Sequence, residues 1–264
     1  GGVTVNVILA IAIYSMTLFA WGETFLPAEN LKDGVWVVDS MAMKMGFQSG
    51  DKIVSVNDKK PERFTDIVPE MLYGGTVQVS RDGEMKNIEL PENFIEQLID
   101  VGDRVVLFLP RTPCVVGQVP DTSAAAKAGL MAKDKIIEVN GKPVKYFDQI
   151  QTVLKEYSNT EADVKIERDG KELTLKMPVS EEGKLGFMPT LYSYEDMKNT
   201  GIYDFDVKEY GLLAAVPAGI NKAYDKLDFY IKQFRLILDF ETGAYKGIGG
   251  FGSIGKMFPY TWDW

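Results

Sequence analysis

Residues 129–141 read GLMAKDKIIEVNG, and residues 46–58 read GFQSGDKIVSVND. The two stretches align without a gap at a separation of 83 residues, and both contain a Gly, an Asp-Lys-Ile run and a Val-Asn pair. Downstream, SRDGEMKNIEL (80–90) matches ERDGKELTLKM (167–177) at a separation of 87 residues. Self-similarity at a fixed spacing is typical of a repeated structural unit. The sequence therefore predicts two copies of one unit of about 80 residues.

Each copy carries the same order of predicted elements. In the first and second copy these are a strand (35–38; 115–119), a short helix with a Ser cap and a terminal Gly (Ser40 and Gly46; Ser123 and Gly129), an alternating strand (53–56; 136–139) and a second helix (64–72; 146–156). Asp-Gly pairs at 82–83 and 169–170 then predict tight hairpins. We expect each unit to be a small barrel-like sheet flanked by two helices, which gives an α+β fold.

The N-terminal segment is apolar. Residues 3–21 contain no charged side chain, and about 20 apolar residues suffice to span a bilayer as a helix. No Lys or Arg precedes the run, as a secretory signal would require. We predict a transmembrane helix over residues 1–22, with a buried core helix as the alternative.

The C-terminal region (205–264) has a different pattern. Between Gly219 and Phe240, apolar and polar residues each recur at steps of three or four, which predicts an amphipathic helix. Packing on a membrane surface or other helices and packing on the protein's own domains both remain open. The last residues are rich in Gly and aromatic side chains, and Tyr260, Trp262 and Trp264 are expected to form an interfacial aromatic belt.

Composition excludes several classes of function. The chain has no His, which removes Ser-His-Asp and Cys-His catalysis and His-ligated zinc, and its net charge of −9 argues against nucleic-acid binding. The single Cys114 rules out an internal disulfide and is expected to be a small buried apolar residue. Ser123 and Lys127 are not predicted to form a catalytic dyad, because the first copy repeats their spacing at a helix cap. We therefore predict no catalytic residue and no metal ligand in this chain.

The second copy resembles a known domain. AAAKAGLMAKDKIIEVNGKPV (124–144) is similar to a PDZ domain of the circularly permuted bacterial type. The first copy departs from the pattern, because Met43 and Met45 replace small residues and Asp58 replaces the turn Gly. The resemblance implies two tandem PDZ-like domains, at 31–97 and 105–188.

PDZ domains bind an extended peptide, usually a free C-terminus, as an added strand between a sheet edge and a helix. For the second unit the resemblance implies a groove between strand Cys114–Val119 and helix Tyr146–Lys155. The candidate site residues are Val115, Val116, Gly117, Ile150 and Leu154. The alternative, that Ile150 and Leu154 only pack the domain core, stays open.

The order of elements along the whole chain resembles site-2-type intramembrane zinc metalloproteases, specifically the bacterial regulator-of-sigma-E protease group. Gly2, Val3 and Asn6 match the motif that opens the second membrane helix of that family, and Gly252-Ser253-Ile254-Gly255 lies where a later conserved stretch belongs. The family's HExxH and L-D-G motifs are absent. The resemblance thus implies a fragment that begins inside a longer polypeptide and is inactive alone.

The resemblance also implies a function for the intact protein. Zinc would activate water for cleavage of membrane-spanning substrates such as anti-sigma factors. The PDZ pair, on the periplasmic side of the bacterial inner membrane, would filter substrates by size or bind an exposed substrate C-terminus. The alternative is a non-enzymatic, membrane-anchored PDZ adaptor of the envelope. A PDZ-bearing periplasmic serine protease is disfavoured, because an apolar helix stands where its His-containing catalytic domain should be.

Overall fold

A computed structural model describes residues 1–101 and 106–238. The first part contains α1 (Gly2–Trp21), β1 (Glu23–Phe25), β2 (Val35–Val37), α2 (Ser40–Lys44), β3 (Lys52–Val56), α3 (Ile67–Met71), β4 (Gly75–Arg81), β5 (Glu84–Leu90), α4 (Phe94–Val101) and β6 (Phe108–Pro110). The second contains β7 (Val116–Gln118), α5 (Ala124–Lys127), β8 (Lys135–Val139), β9 (Lys142–Pro143), α6 (Phe147–Lys155), β10 (Glu161–Arg168), β11 (Lys171–Pro178), β12 (Met188–Pro189), α7 (Tyr194–Asn199), β13 (Asp206–Lys208) and α8 (Leu212–Leu238). Helices and antiparallel strands are mixed along the chain, as predicted.

The strands form two separate units. The first has a sheet in the order β3-β4-β5 and a pair β2-β6, while the second has a sheet in the order β11-β10-β8-β9 and a pair β12-β7. Alternate residues of the central strands point inward, as in β4, where Val77 and Val79 are fully buried. The two sheets cover two distinct hydrophobic cores.

A buried ion pair recurs in both units. In the first unit, Arg81 donates through Nε and Nη2 to the Asp51 carboxylate (2.6 and 2.8 Å) and through Nη2 to the Gly46 carbonyl (2.7 Å). The second unit repeats these bonds between Arg168 and Asp134 (2.6 and 2.7 Å) and between Arg168 and the Gly129 carbonyl (2.7 Å). The predicted repeat is therefore also a repeat of contacts.

One of the two predicted helix caps is confirmed. Ser123 Oγ accepts from the Ala126 N–H at 3.1 Å. In the first unit the prediction was wrong, because Asp39 Oδ1 accepts from the Met41 N–H at 2.7 Å and Ser40 is already the first helical residue. A carboxylate one position earlier takes the capping role, since acceptor side chains at the N-cap satisfy the free N–H groups of the first turn.

The predicted turns are confirmed. Gly46 and Gly129, which end the short helices, have φ angles of 101° and 87°, in the left-handed region that favours Gly. Both Asp-Gly pairs, at 82–83 and 169–170, have positive φ at each residue and join paired strands. These are the φ values that a two-residue type I′ hairpin requires.

The chain crosses between the units in a way that the repeat did not indicate. Leu107 and Phe108, which the expected bounds assign to the second unit, are buried in the first core. The segment 190–208, here called the strap, follows the second unit but returns to the first. Met197 and Tyr203 of the strap are buried in the first core, and β13 pairs with β1. The first unit is thus completed by residues from far along the chain.

The apolar N-terminal segment forms a single helix. Within the described ranges, α1 is the one helix long and apolar enough to cross a membrane, judged on residues Thr4–Trp21, of which 11% is buried. It packs against α8 at small residues, because a Cβ on Gly219 would lie 2.7 Å from the Ser15 backbone nitrogen. The low burial of α1 does not fit a core helix.

Helix α8 begins earlier than predicted. It starts at Leu212 instead of Gly219 and includes Pro217 in its interior. The apolar run 212–220 continues the helix upstream, and Pro217 removes only one backbone donor near its start. The predicted end at Phe240 and the aromatic belt at Tyr260, Trp262 and Trp264 lie outside the described residues.

Candidate peptide-binding site

The candidate residues on β7 lie in a strand that has neighbours on both sides. The Val116 N–H donates to the Asp134 carbonyl (2.8 Å), and the Val116 carbonyl accepts from the Lys133 N–H (2.7 Å). On the other side, Pro189 of β12 lies opposite Val116, and the Thr190 N–H donates to the Val115 carbonyl (2.8 Å). An added strand needs unpaired backbone groups, and in this strand the domain itself uses them.

Gly117 has a separate structural role. A Cβ at this position would lie 2.8 Å from the Pro189 carbonyl oxygen. The absence of a side chain therefore permits the close approach of β12 to β7. The stretch that pairs with β12 thus contains Val115, Val116 and Gly117.

The two candidate helix residues face the core. Ile150 and Leu154 of α6 are each 2% exposed and belong to the same buried cluster as Val116. Their spacing of four residues places both on one face of the helix. The structure thus brings Val116, Ile150 and Leu154 together, with the side chains inside the domain.

A segment that the sequence analysis missed lies beside α6. Backbone atoms of Gly183 and Lys155 approach so closely that a Cβ on Gly183 would be 3.1 Å from the Lys155 Cα. Leu185 is buried with Ile150 and Leu154, and Phe187 packs partly against the same cluster. The segment 183–190 therefore runs from the end of α6 to the outer side of β7.

A sequence signal for this segment exists. The first unit ends with Phe108-Leu109-Pro110, and the second ends with Phe187-Met188-Pro189. Both stretches pair with the first strand of their own unit, β2 and β7. The repeated Phe-x-Pro pattern could have indicated a closing strand in each copy.

The candidate nucleophiles have structural roles. Cys114 is fully buried, and burial raises the pKa of its thiol to about 12, which keeps it protonated near neutral pH. Ser123 caps α5, as described above.

Comparison with known proteins identifies the domain and the relatives. A family model described as a PDZ domain matches residues 97–179, which contain α5, α6 and the strands β7 to β11. A "Putative zinc metalloprotease" of Treponema pallidum is 27% identical over 64% of this chain and 39% of its own length. The regulator of sigma-W protease RasP of Bacillus subtilis is 29% identical over 44% of this chain and 26% of its own. The regulator of sigma-E protease RseP of Salmonella typhimurium is 26% identical over 52% and 30%, respectively.

The chain is thus similar to proteins named as zinc metalloproteases and as regulator-of-sigma proteases. It spans between 26% and 39% of the length of these three relatives. The chain contains no His. Within residues 1–101 and 106–238, no three Cys, Asp or Glu side chains are grouped so that they could hold a metal ion. These residues do not fit a zinc site.

Proposed function

We propose that this chain is the PDZ-bearing part of a zinc metalloprotease that cleaves membrane-spanning substrates. The observation that carries the proposal is the similarity to two proteases named as regulators of sigma factors, together with a PDZ domain and a largely exposed apolar helix. Zinc and the catalytic groups would be supplied by other parts of the intact protein. Helix α1 would lie in the bacterial inner membrane, with the PDZ units on the periplasmic side.

Both units are PDZ domains of the permuted type in this proposal. The duplicated Asp–Arg contacts and the pairing of the last strand with the first in each unit support a common fold. Accordingly, we assign β6 to the first domain and β12 to the second, which moves the expected ends from 97 to 110 and from 188 to 189.

A bound peptide would add to the outer edge of β12, next to α6. The inner edge of β12 is paired with β7, so only its outer side can accept a further strand. Backbone hydrogen bonds would supply affinity, and the space between segment 183–190 and α6 would select the last side chain. The groove thus shifts by one strand from Val115–Gly117 to residues 187–189.

Hydrogen–deuterium exchange on the full chain in lipid nanodiscs tests this groove. The probes are decapeptides ending in Val, Ala or Phe, each with a free C-terminal carboxylate, and the controls are the same peptides with a C-terminal amide. We expect the free acids to slow exchange in 186–190 and in α6, with no effect of the amides. Protection of 114–118 alone would restore the original placement, and equal effects of acid and amide would remove C-terminal recognition.

The PDZ pair acts as a size filter or as a receptor for a substrate C-terminus. In the intact protease, removal of the pair should allow cleavage of a full-length membrane substrate that is otherwise cut only after shortening. Cleavage of the pre-shortened substrate is the matched control for a working catalytic site. If the full-length substrate remains uncut while the shortened one is cleaved, the filter is refuted. If the intact protein cleaves neither with zinc present, the non-enzymatic adaptor is the better account.

Helix α8 rests on the membrane surface in this proposal. Its apolar residues are exposed at helical spacing: Ile220 (47%), Tyr224 (68%), Leu227 (51%), Ile231 (45%), Phe234 (63%) and Leu238 (61%). Its polar side contacts the protein, because Lys222 binds Glu23 and Lys232 lies 5.9 Å from the Tyr73 ring centroid. An apolar face turned away from the domain is typical of an interfacial helix.

Fluorescence quenching tests the position of α8. A bimane label at Leu227→Cys should be quenched by nitroxide lipids in a nanodisc, whereas a label at Asp225→Cys on the polar side should not. Equal and weak quenching at both sites would mean that α8 packs against protein instead.

A further inference from the structure

The position just before the second helical segment of each unit, which in the first unit begins with a 3-10 turn at Phe64–Asp66 ahead of α3, contacts the part of the chain that precedes that unit. The repeat places Arg63 opposite Tyr146, each followed by a Phe that opens the helical segment. In the first unit, Arg63 donates to both carboxylate oxygens of Glu23 (2.8 and 2.9 Å), two residues after α1 ends. Lys222 of α8 donates to the same carboxylate at 2.7 Å. The start of this helix thus joins the first unit to both membrane-proximal helices.

In the second unit, the equivalent position contacts the first unit. The Tyr146 hydroxyl donates to Asp33 Oδ2, and Lys145 Nζ lies 3.0 Å from the same oxygen. The hydrogen bond from Tyr146 lowers the pKa of Asp33, and burial together with that bond raises the pKa of Tyr146. Trp36 and Phe147 add an edge-on ring contact at 5.6 Å between the two units.

Arg111, in the linker between the units, connects these groups. Its side chain is bidentate to Asp148 (3.0 and 2.7 Å) and donates to the Asp33 carbonyl (3.1 Å). The guanidinium lies 4.3 Å from the Tyr146 ring centroid, and the Tyr203 hydroxyl of the strap donates to the Arg111 carbonyl at 2.7 Å. Arg111 is only 8% exposed, and a planar guanidinium with several partners holds them in a defined geometry.

These contacts are not needed to build a unit. The bonds that hold each unit together, such as Arg81–Asp51, are present in both copies. The junction residues are not repeated, because at the same separation of 83 residues Asp33 corresponds to Val116 and Thr65 to Asp148. Each of these contacts also crosses from one unit to another part of the molecule.

We propose that the residues at this position are docking residues, which clamp each unit onto the part of the chain before it. Arg63 clamps the first unit to the end of α1 through Glu23, which also binds Lys222 of α8, and Tyr146, with Arg111, clamps the second unit to the first through Asp33. The PDZ pair therefore moves as one rigid body attached to the membrane helices. This inference rests on the proposed function only for its consequence: a filter needs a fixed opening.

Pulsed electron–electron double resonance, which measures the distance between two spin labels, tests the clamp between the units on the full chain in nanodiscs. Spin labels at Glu84→Cys and Lys171→Cys occupy equivalent hairpin positions, and buried Cys114 should not react. We expect one narrow distance in the parent and a broad distribution in the double variant Asp33→Ala/Tyr146→Phe. The matched control is Glu138→Ala, which breaks a Lys–carboxylate pair of the same 3.0 Å length inside the second unit. A broad parent distribution, or an unchanged narrow one in the double variant, overturns the proposal.

The second clamp has its own readout. Labels at Phe19→Cys and Glu84→Cys report the position of the first unit relative to α1, and Arg63→Gln should broaden this distance alone. Glu29→Gln, which breaks an exposed 2.6 Å pair with Lys60, is the control. If hydrogen exchange shows that Arg63→Gln unfolds the first unit, the distance measured in the Asp33→Ala/Tyr146→Phe variant still decides the proposal.

The substrate assay separates this inference from the proposed function. In the intact protease, Asp33→Ala/Tyr146→Phe should admit the full-length substrate if a rigid pair is the filter. Broadened distances with unchanged cleavage would keep the clamp and refute the filter. Unchanged distances would refute the clamp whatever the cleavage.

Discussion

Asp51 and Asp134 occupy equivalent positions, with 0% and 1% exposure, and each carboxylate binds an Arg side chain. Each also accepts from a backbone N–H of the preceding turn, Gln48 and Met131, both at 2.8 Å. A buried charge with all its partners in place is costly to disturb, because removing one partner leaves the other without compensation.

Asp51→Asn and Asp134→Asn should each destabilise their own unit by about 3 kcal/mol, since the buried ion pair is lost in both cases. Hydrogen exchange in β3–β5 and in β8–β11 measures the two units separately. Glu161→Gln removes an exposed pair with Lys176 and should change stability by less than about 0.5 kcal/mol. Equal loss in both units from either aspartate variant would contradict independent cores.

The stabilisation that Glu23 gives to the folded protein depends on pH. The hydrogen bond from Arg63, ahead of that from Lys222, lowers its pKa from 4.5 to about 2. Because the pKa is lower in the folded protein than in the unfolded chain, the stabilisation is complete above about pH 5 and is lost as the pH falls toward 2. Glu23→Gln should cost about 2 kcal/mol at neutral pH and much less near pH 2.5, by urea unfolding at both pH values. A cost that does not change with pH would exclude the ion pair as its source.

At the scale of elements, α1 and α8 meet through a glycine. A Cβ on Gly219 would lie 2.7 Å from the Ser15 nitrogen and 2.9 Å from its Cα, both backbone atoms that cannot rotate away. Small residues at helix crossings allow this close approach, particularly between membrane helices.

Gly219→Ala should therefore separate α8 from α1, although Ala is favoured over Gly inside a helix by about 1 kcal/mol. Spin labels at Met16→Cys and Tyr224→Cys, both on exposed side chains, should report a longer or broader distance. Gly211→Ala is the control, since a Cβ there meets nothing within 4 Å. An unchanged distance in Gly219→Ala would show that the contact does not position α8.

The sequence predicted local elements correctly where residues close together in the chain determine them. The hairpins at 82–83 and 169–170 and the Ser123 cap depend on residues within a few positions of each other, so their signals were sufficient. The closing strands β6 and β12 were missed because each is two or three residues long and acquires its identity from a partner 70 to 75 residues away. Long-range pairing leaves little mark on so short a stretch.

At the scale of the molecule, the first core depends on the strap. Met197, which follows the second unit in the chain, is 6% exposed within the first core, whereas Met177 is fully buried in the second. The chain thus encloses its first unit after completing its second.

Met197→Ala should destabilise the first unit, and Met177→Ala the second, by about 2–4 kcal/mol each, the usual cost of a large-to-small change in a core. Each variant is the control for the other. Hydrogen exchange in β3–β5 and in β10–β11 gives the two readouts. If Met197→Ala speeds hydrogen exchange in the second unit instead, the strap stabilises the second unit and the prediction is wrong.

The sequence by itself determined the two repeats, the turns within them, the Ser123 cap and the apolar helix, because each depends on neighbouring residues and on hydrophobic period. Only the tertiary structure decided which strand edges are occupied, which unit receives the strap and how Arg111 joins Asp33 to Asp148. Those outcomes depend on contacts between residues far apart in the chain, and a repeat contains no information about what lies between its copies. For this reason we propose β12 as the groove strand in place of β7, which has the expected residues but has its edges already occupied.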